Sequence, residues 1–157
     1  MIWLVPASER HIEQMLGRIR QADIDEFDAG YSLTPERGMR VGLKVSSHCW
    51  AGIWDGRVLA IAGLCPTSFV GDHASPWMVG TRDLDRPEVR REFLRVSKSV
   101  LSHMLSIYPH LENYVDTRNR LAVRWLKWLG FTMHDPEPHG PKGMPFHRFE
   151  IRRTAHV

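Results

Sequence analysis

A chain of 157 residues, 43% hydrophobic and 25% charged, carries enough apolar side chains for one ordinary buried core and too many for disorder. Its 21 basic and 18 acidic residues leave a formal charge of +3, too weak a field to argue for nucleic acid, and its two cysteines, Cys49 and Cys65, lack the C-x-x-C spacing of a zinc ribbon. No apolar run approaches the ~20 residues of a membrane span, and Glu9-Arg10 does not suit a cleavable signal, so a single cytoplasmic domain over residues 1–157 is expected.

Ile2 to Val5, closed by Pro6, reads as a first strand. Ser8 is placed to cap a helix that carries Ile12, Met15, Leu16 and Ile19 at helical spacing, and Thr34-Pro35-Glu36 opens a second helix. The strongest hairpin signal is His48 to Trp54, Asp55-Gly56, Arg57 to Leu64, because Asp-Gly readily takes the positive φ of a tight turn. That hairpin sets Cys49 opposite about Ala62 and out of line with Cys65, so two buried free thiols are expected. Trp77 to Thr81 follows as a strand. A long helix from about Arg86 to Ile107 then presents Val89, Phe93, Val96, Val100 and Met104 on one stripe, with Arg91, Arg95 and Lys98 on a solvated face. Asp85 and Glu88 have the spacing of a capping box at its start, and Pro87 removes a donor there.

Tyr114-Val115 is a short β-prone run, followed by a helix opened by Asn119 and stopped at Gly130, after which Phe131 begins another strand. In that helix Leu121, Ala122, Trp125, Trp128 and Leu129 read as a core stripe, and Arg118, Arg120, Arg124 and Lys127 as a solvated face. His134 to Pro145 reads as a long loop rich in Pro, Gly and His, and Phe149 and Ile151 alternate with charged residues in a last strand. The predicted order is β-α-α-β-β-β-α-β-α-β-β. No G-x-S-x-G, Walker loop or H-E-x-x-H occurs, and His134, His139 and His147 fit no zinc spacing, so no metal is expected.

The run from Asn113 to Phe131, N-Y-V-D-T-R-N-R-L-A-V-R-W-L-K-W-L-G-F, resembles the last conserved segment of the GNAT N-acetyltransferases, roughly N-x-x-A-x-x-L-Y-x-x-L-G-F. Asn119, Ala122, Leu129, Gly130 and Phe131 fall on the pattern. Trp125 replaces its leucine, and Leu126 stands where many members carry a tyrosine that protonates the departing thiolate. The resemblance implies a mixed, mostly antiparallel sheet flanked by helices, with the strand before the long helix splayed from its neighbour to receive the pantetheine arm of acetyl-CoA.

Carried over residue by residue, the cofactor would meet Val79, Gly80, Thr81, Arg82, Arg86 and Asn119. The family's Q/R-x-x-G-x-G/A phosphate loop corresponds to Val79 to Glu88, which has no glycine after Gly80, so Arg82, Arg86, Arg90 and Arg91 are the side chains left to meet the phosphates. The base that takes a proton from the amine acceptor falls to Asp72, His73 or Asp116, although His73 reads more simply as a loop histidine and Asp116 as a turn residue that caps the next helix. T-R-D-L at 81–84 and Y-P-H-L-E-N-Y-V-D-T-R-N at 108–119 also resemble a narrower group of tailed-phage proteins described as internal virion or assembly proteins. The resemblance thus implies either an acyltransferase using an acyl-CoA and an amine, or a catalytically silent fold that works through a protein partner.

Overall fold

Asp55 and Gly56 both take positive φ, 47° and 74°, and close the expected tight turn between β2 (His48–Trp54) and β3 (Arg57–Pro66). The structure is a computed structural model, and it describes residues 1–154. Before this hairpin come β1 (Ile2–Pro6), α1 (Glu9–Met15), α2 (Gln21–Tyr31) and α3 (Pro35–Val45). After it come β4 (His73–Gly80), a 3-10 turn at Arg82–Asp85, α4 (Pro87–Ile107), β5 (His110–Asp116), α5 (Arg120–Leu129), β6 (Thr132–His139) and β7 (Met144–Arg152). The seven strands form one sheet in the order β1-β2-β3-β4-β5-β7-β6, antiparallel at every pairing except β4 with β5.

Alternation along the strands feeds two cores. On one face α1 and α3 bury Ile12, Met15 and Met39 against Ala51, Ile61 and Val79. On the other, α4 and α5 bury Met104 and Leu126 against Leu64, Leu111, Val115 and Phe149. Trp77 fixes the distance of α3 from the sheet. Its indole donates to Ser46 Oγ at 2.8 Å and lies between Gly42 of α3 and Gly63 of β3, where a Cβ on either glycine would come within 2.6 Å of the ring.

Five expectations change. A third helix, α2, stands where no element was predicted, because its inward residues are Asp23, Ala29 and Gly30, which form no apolar stripe. The stretch from His134 to Pro145 is largely the β6–β7 hairpin; β6 lies at the sheet edge, where the missing N–H groups of Pro136 and Pro138 break no ladder. Cys49 pairs in register with Gly63 rather than Ala62, and both thiols are half-buried. Asp85 does not cap α4: Arg86 is the N-cap residue, Glu88 is bound by the Arg86 guanidinium at 2.7 Å, and Asp85 pairs with Arg90 at 3.6 Å. β4 begins at His73, four residues earlier than expected. No helix among the described residues is long and apolar enough to cross a membrane.

Candidate active site

β4 and β5 run parallel and pair only at His73 with His110 and Ala74 with Leu111. One further tie follows, from Asn113 Nδ2 to the Pro76 carbonyl at 2.8 Å, and the strands then part. The gap opens into a cavity of about 790 Å³, walled mainly by apolar side chains that include Phe27, Trp77, Phe93 and Trp125. A splayed strand edge leaves backbone groups without ladder partners, and strand parity decides which ones. Thr81 N–H donates to the Leu59 carbonyl at 2.8 Å, so Thr81 and, two residues back, Val79 face β3. Gly80, Met78 and Pro76 face the gap.

At its C-terminal end this edge is already occupied. The segment before α2 runs beside it: Arg20 N–H donates to the Gly80 carbonyl at 3.0 Å, and Arg82 N–H to the Arg18 carbonyl at 2.8 Å. Gly80 N–H donates to Asp23 Oδ2 at 2.8 Å, and the Thr81 hydroxyl to the Leu59 carbonyl at 2.9 Å. The amides of Leu84 and Arg86 close the 3-10 turn onto Thr81 and Asp83. A pyrophosphate needs free N–H groups at this loop, and here Gly80, Thr81, Arg82, Leu84 and Arg86 have none to give. Val79 and Thr81 are fully buried, whereas Arg82 and Arg86 are exposed, the latter against Glu88. Among the described residues, Met78 keeps its N–H turned to the gap with no partner along that edge.

Across the open end stands α2. Asp23 holds the end of β4 as described, and Glu26, one turn on, accepts the Asp116 N–H at 2.8 Å at the end of β5. Asn119 reaches Asp23 Oδ1 with its Nδ2 at 3.5 Å and accepts the Ala122 N–H at 3.4 Å, so it both caps α5 and joins the cluster. Burial raises the Asp23 carboxyl above its ordinary value. Burial likewise pushes Glu26 up to about 7, with the charges of Asp23 and Asp116 adding to the effect. Asp116 itself is 1% exposed and turned onto Arg118, whose Nη2 donates at 2.7 Å and whose backbone N–H donates at 2.9 Å. Its geometry is that of a turn residue with a committed ion pair.

Asp72 and His73 lie at the closed end of the gap, with the Asp72 carbonyl accepting the His110 N–H at 3.1 Å. Six residue steps along β5 separate that end from Asp116, about 20 Å, so these two candidates do not meet Asp116 and Asn119. Leu126 is buried in the core and has no proton to give. Two phenols, Tyr31 and Tyr114, line the cavity instead, both with pKa raised by burial and so protonated at neutral pH. Trp125 packs beside the core with its Nε1 on Ser97 Oγ at 3.2 Å, while Trp128 is exposed under the Lys98 ammonium, 4.5 Å from the ring centre.

No protein-family model matches this chain, and no curated protein does. Solved structures do. A ribosomal-protein-alanine N-acetyltransferase from Brucella melitensis is similar at a TM-score of 0.67 and 11% identity, over 96% of this chain and 99% of its own. A ribosomal-protein alanine N-acetyltransferase from Escherichia coli gives 0.62 and 13%, over 100% and 97%. A GNAT-family acetyltransferase from Streptococcus pneumoniae gives 0.60 and 12%, over 98% and 100%. The fold is the GNAT fold.

Within this GNAT fold, the segment that carried the resemblance is β5, the Asn119 cap, α5, the left-handed Gly130 (φ 105°) and the start of β6. The functional candidates that sequence reasoning missed are Asp23, Glu26 and Met78. No motif marks the two carboxylates, which lie in a helix with no apolar stripe; Met78 was within reach, since the parity of β4 follows once its pairing with β3 is known.

Proposed function

We propose that the chain is an N-acyltransferase in which an amine acceptor enters beside Glu26 and an acyl thioester lies in the gap between β4 and β5. The observation that carries this reading is Glu26: a carboxyl pushed up to about 7, at the mouth of an apolar opening that a thioester arm fits. An amine arrives as an ammonium ion and must lose a proton before its nitrogen can attack, and a base with a pKa near the working pH removes that proton most effectively. Met78 N–H stands toward the gap as a donor for the carbonyl oxygen on which charge develops. A bound acyl thioester supplies the activated carbonyl. Tyr31 and Tyr114 are the phenols available as proton donors, in place of the tyrosine that Leu126 replaces.

The residues fit the arm of acetyl-CoA better than its pyrophosphate, because the amides of Gly80, Thr81, Arg82, Leu84 and Arg86 are spent within the chain. Arg20, Arg90 and Arg124 are the cations among the residues that line the cavity. Donor preference therefore tests the reading. Acetyl-pantetheine, which lacks the nucleotide, should serve about as well as acetyl-CoA in a thiol-release assay against a panel of amines. Glu26→Gln should lower the rate about a hundredfold or more. Absence of thiol release and of binding with both donors would overturn the reading.

A second reading, a silent GNAT fold that acts through a protein partner, draws on Leu126 and the spent amides from Gly80 to Arg82 alone, and the similar acetyltransferase structures do not favour it. Nothing in the structural likenesses bears on a phage origin.

A further inference from the structure

The closed end of the gap carries a different chemistry from its mouth. His73, the first residue of β4, lies opposite His110, the first of β5, with ring centres 4.0 Å apart and planes tilted by 30°. Glu112, two residues along β5, turns to the same face, and one ligand atom each from His73, His110 and Glu112 lies within 4.8 Å of the other two. Glu150 of β7, opposite Glu112 in register, stands behind them. Its carboxylate meets His110 Nε2 at 3.1 Å, His134 Nε2 at 2.8 Å and the Arg148 guanidinium at 2.6 Å.

We infer that His73, His110 and Glu112 form a binding site for a divalent transition-metal ion, zinc foremost, that ties β4 to β5 at the vertex of the opening. This site is independent of the acyltransferase reading. Two imidazoles packed this closely repel when both are protonated, whereas neutral rings each offer a lone pair to one cation. Two nitrogens and one carboxylate oxygen suit zinc, copper or nickel, and do not suit magnesium or calcium, which take oxygen ligands. Bond lengths of about 2.0–2.2 Å to zinc require the three side chains to draw together by about an ångström, and half-buried His73 and Glu112 have room to move. Glu150 supplies the outer carboxylate that orients a ligating histidine. Glu112 Oε2 lies 3.8 Å from His110 Nε2 and also accepts from Arg148 at 3.0 Å, so the ion competes with the guanidinium for this carboxylate and the Arg148 charge opposes tight binding. Three protein ligands leave a fourth position to water.

The location gives the ion a consequence. Only two register pairs join β4 to β5, so a metal bridging His73 to His110 and Glu112 clamps the weakest seam of the sheet. Tag-free, chelator-treated protein titrated with zinc chloride by calorimetry should take up one equivalent with micromolar affinity, and its Tm should rise with zinc concentration. His73→Gln and Glu112→Gln should each weaken uptake at least tenfold, while His103→Gln, at an exposed position on α4, should leave it unchanged. Cobalt(II) uptake should show a four-coordinate visible spectrum that His73→Gln abolishes. No uptake by the wild-type chain, uptake indifferent to both His73→Gln and Glu112→Gln, or equal loss in His103→Gln would overturn the inference.

Discussion

Asp23 and Glu26, one turn apart on α2, accept backbone N–H groups from the two strands that part from each other: Asp23 from Gly80 at the end of β4, and Glu26 from Asp116 at the end of β5, each at 2.8 Å. A single helical turn thus spans the open end of the gap with two carboxylates. The hydrogen bonds hold the mouth at a set width, and burial keeps one carboxyl near neutrality. The same contact therefore fixes the geometry and tunes the proposed base.

Glu26 makes stability fall as pH rises. Its carboxyl binds a proton more tightly in the folded chain than in the unfolded one, so the folded state is favoured most below about 4.5 and loses that advantage as pH climbs from about 4.5 to about 7. The shift corresponds to about 3 kcal/mol across that window. Glu26→Gln, which retains an acceptor for the Asp116 N–H, should flatten the dependence and raise stability at pH 8. Urea unfolding of both proteins at pH 5 and pH 8 measures the effect; equal pH dependence in the two would contradict the assignment.

Glu150 acts with the opposite sign. Hydrogen bonds from His134 and Arg148, with a lesser one from His110, pull its carboxyl down to about 2, so its contribution is present above about 4.5 and is lost as pH falls toward 2. Glu150→Gln should remove part of the acid sensitivity in this range and cost about 1–2 kcal/mol at pH 7, a value reduced for partial solvent screening. Acid titration followed by tryptophan fluorescence checks it.

Asp23→Ala leaves the buried Gly80 N–H without its acceptor and should cost about 1–3 kcal/mol. Asp23→Asn keeps an acceptor oxygen and should cost less. Hydrogen exchange at Gly80 distinguishes the two, with protection lost in the alanine variant and largely kept in the asparagine one.

Gly42→Ala should destabilise by about 1–3 kcal/mol, because the new Cβ would sit 2.6 Å from the Trp77 indole and α3 would have to lift. Gly56→Ala is the contrast: no atom lies within 4 Å, and only its positive φ of 74° opposes the substitution, so the cost should be about 1 kcal/mol. Thermal unfolding of the pair separates crowding from backbone strain.

Much of the fold was legible in the chain because local chemistry specified it. Asp55-Gly56 set the hairpin, the apolar stripe from Val89 to Met104 set the long helix, and Asn119 with Gly130 bounded α5 at both ends. The site was less legible. Asp116 and Asn119 were marked by their place between strand and helix, yet Asp116 proved to be committed to Arg118. Gly80, Thr81 and Arg82 were marked by likeness, yet their amides are spent on Asp23, Leu59 and Arg18. β6 was hidden by its prolines, which read as a loop until the sheet placed them on an edge.

Sequence alone determined the elements whose signals lie within a few residues: caps, turns, apolar periods and the strand–Asn–helix–Leu-Gly-Phe segment. Tertiary structure alone decided the mouth of the gap, because the Asp23–Gly80 contact closes over 57 residues and the Glu26–Asp116 contact over 90. A carboxylate leaves the same trace in a sequence whether water or a buried backbone amide receives it. Its environment, and hence its pKa and its chemistry, exists only once distant strands have been brought beside it.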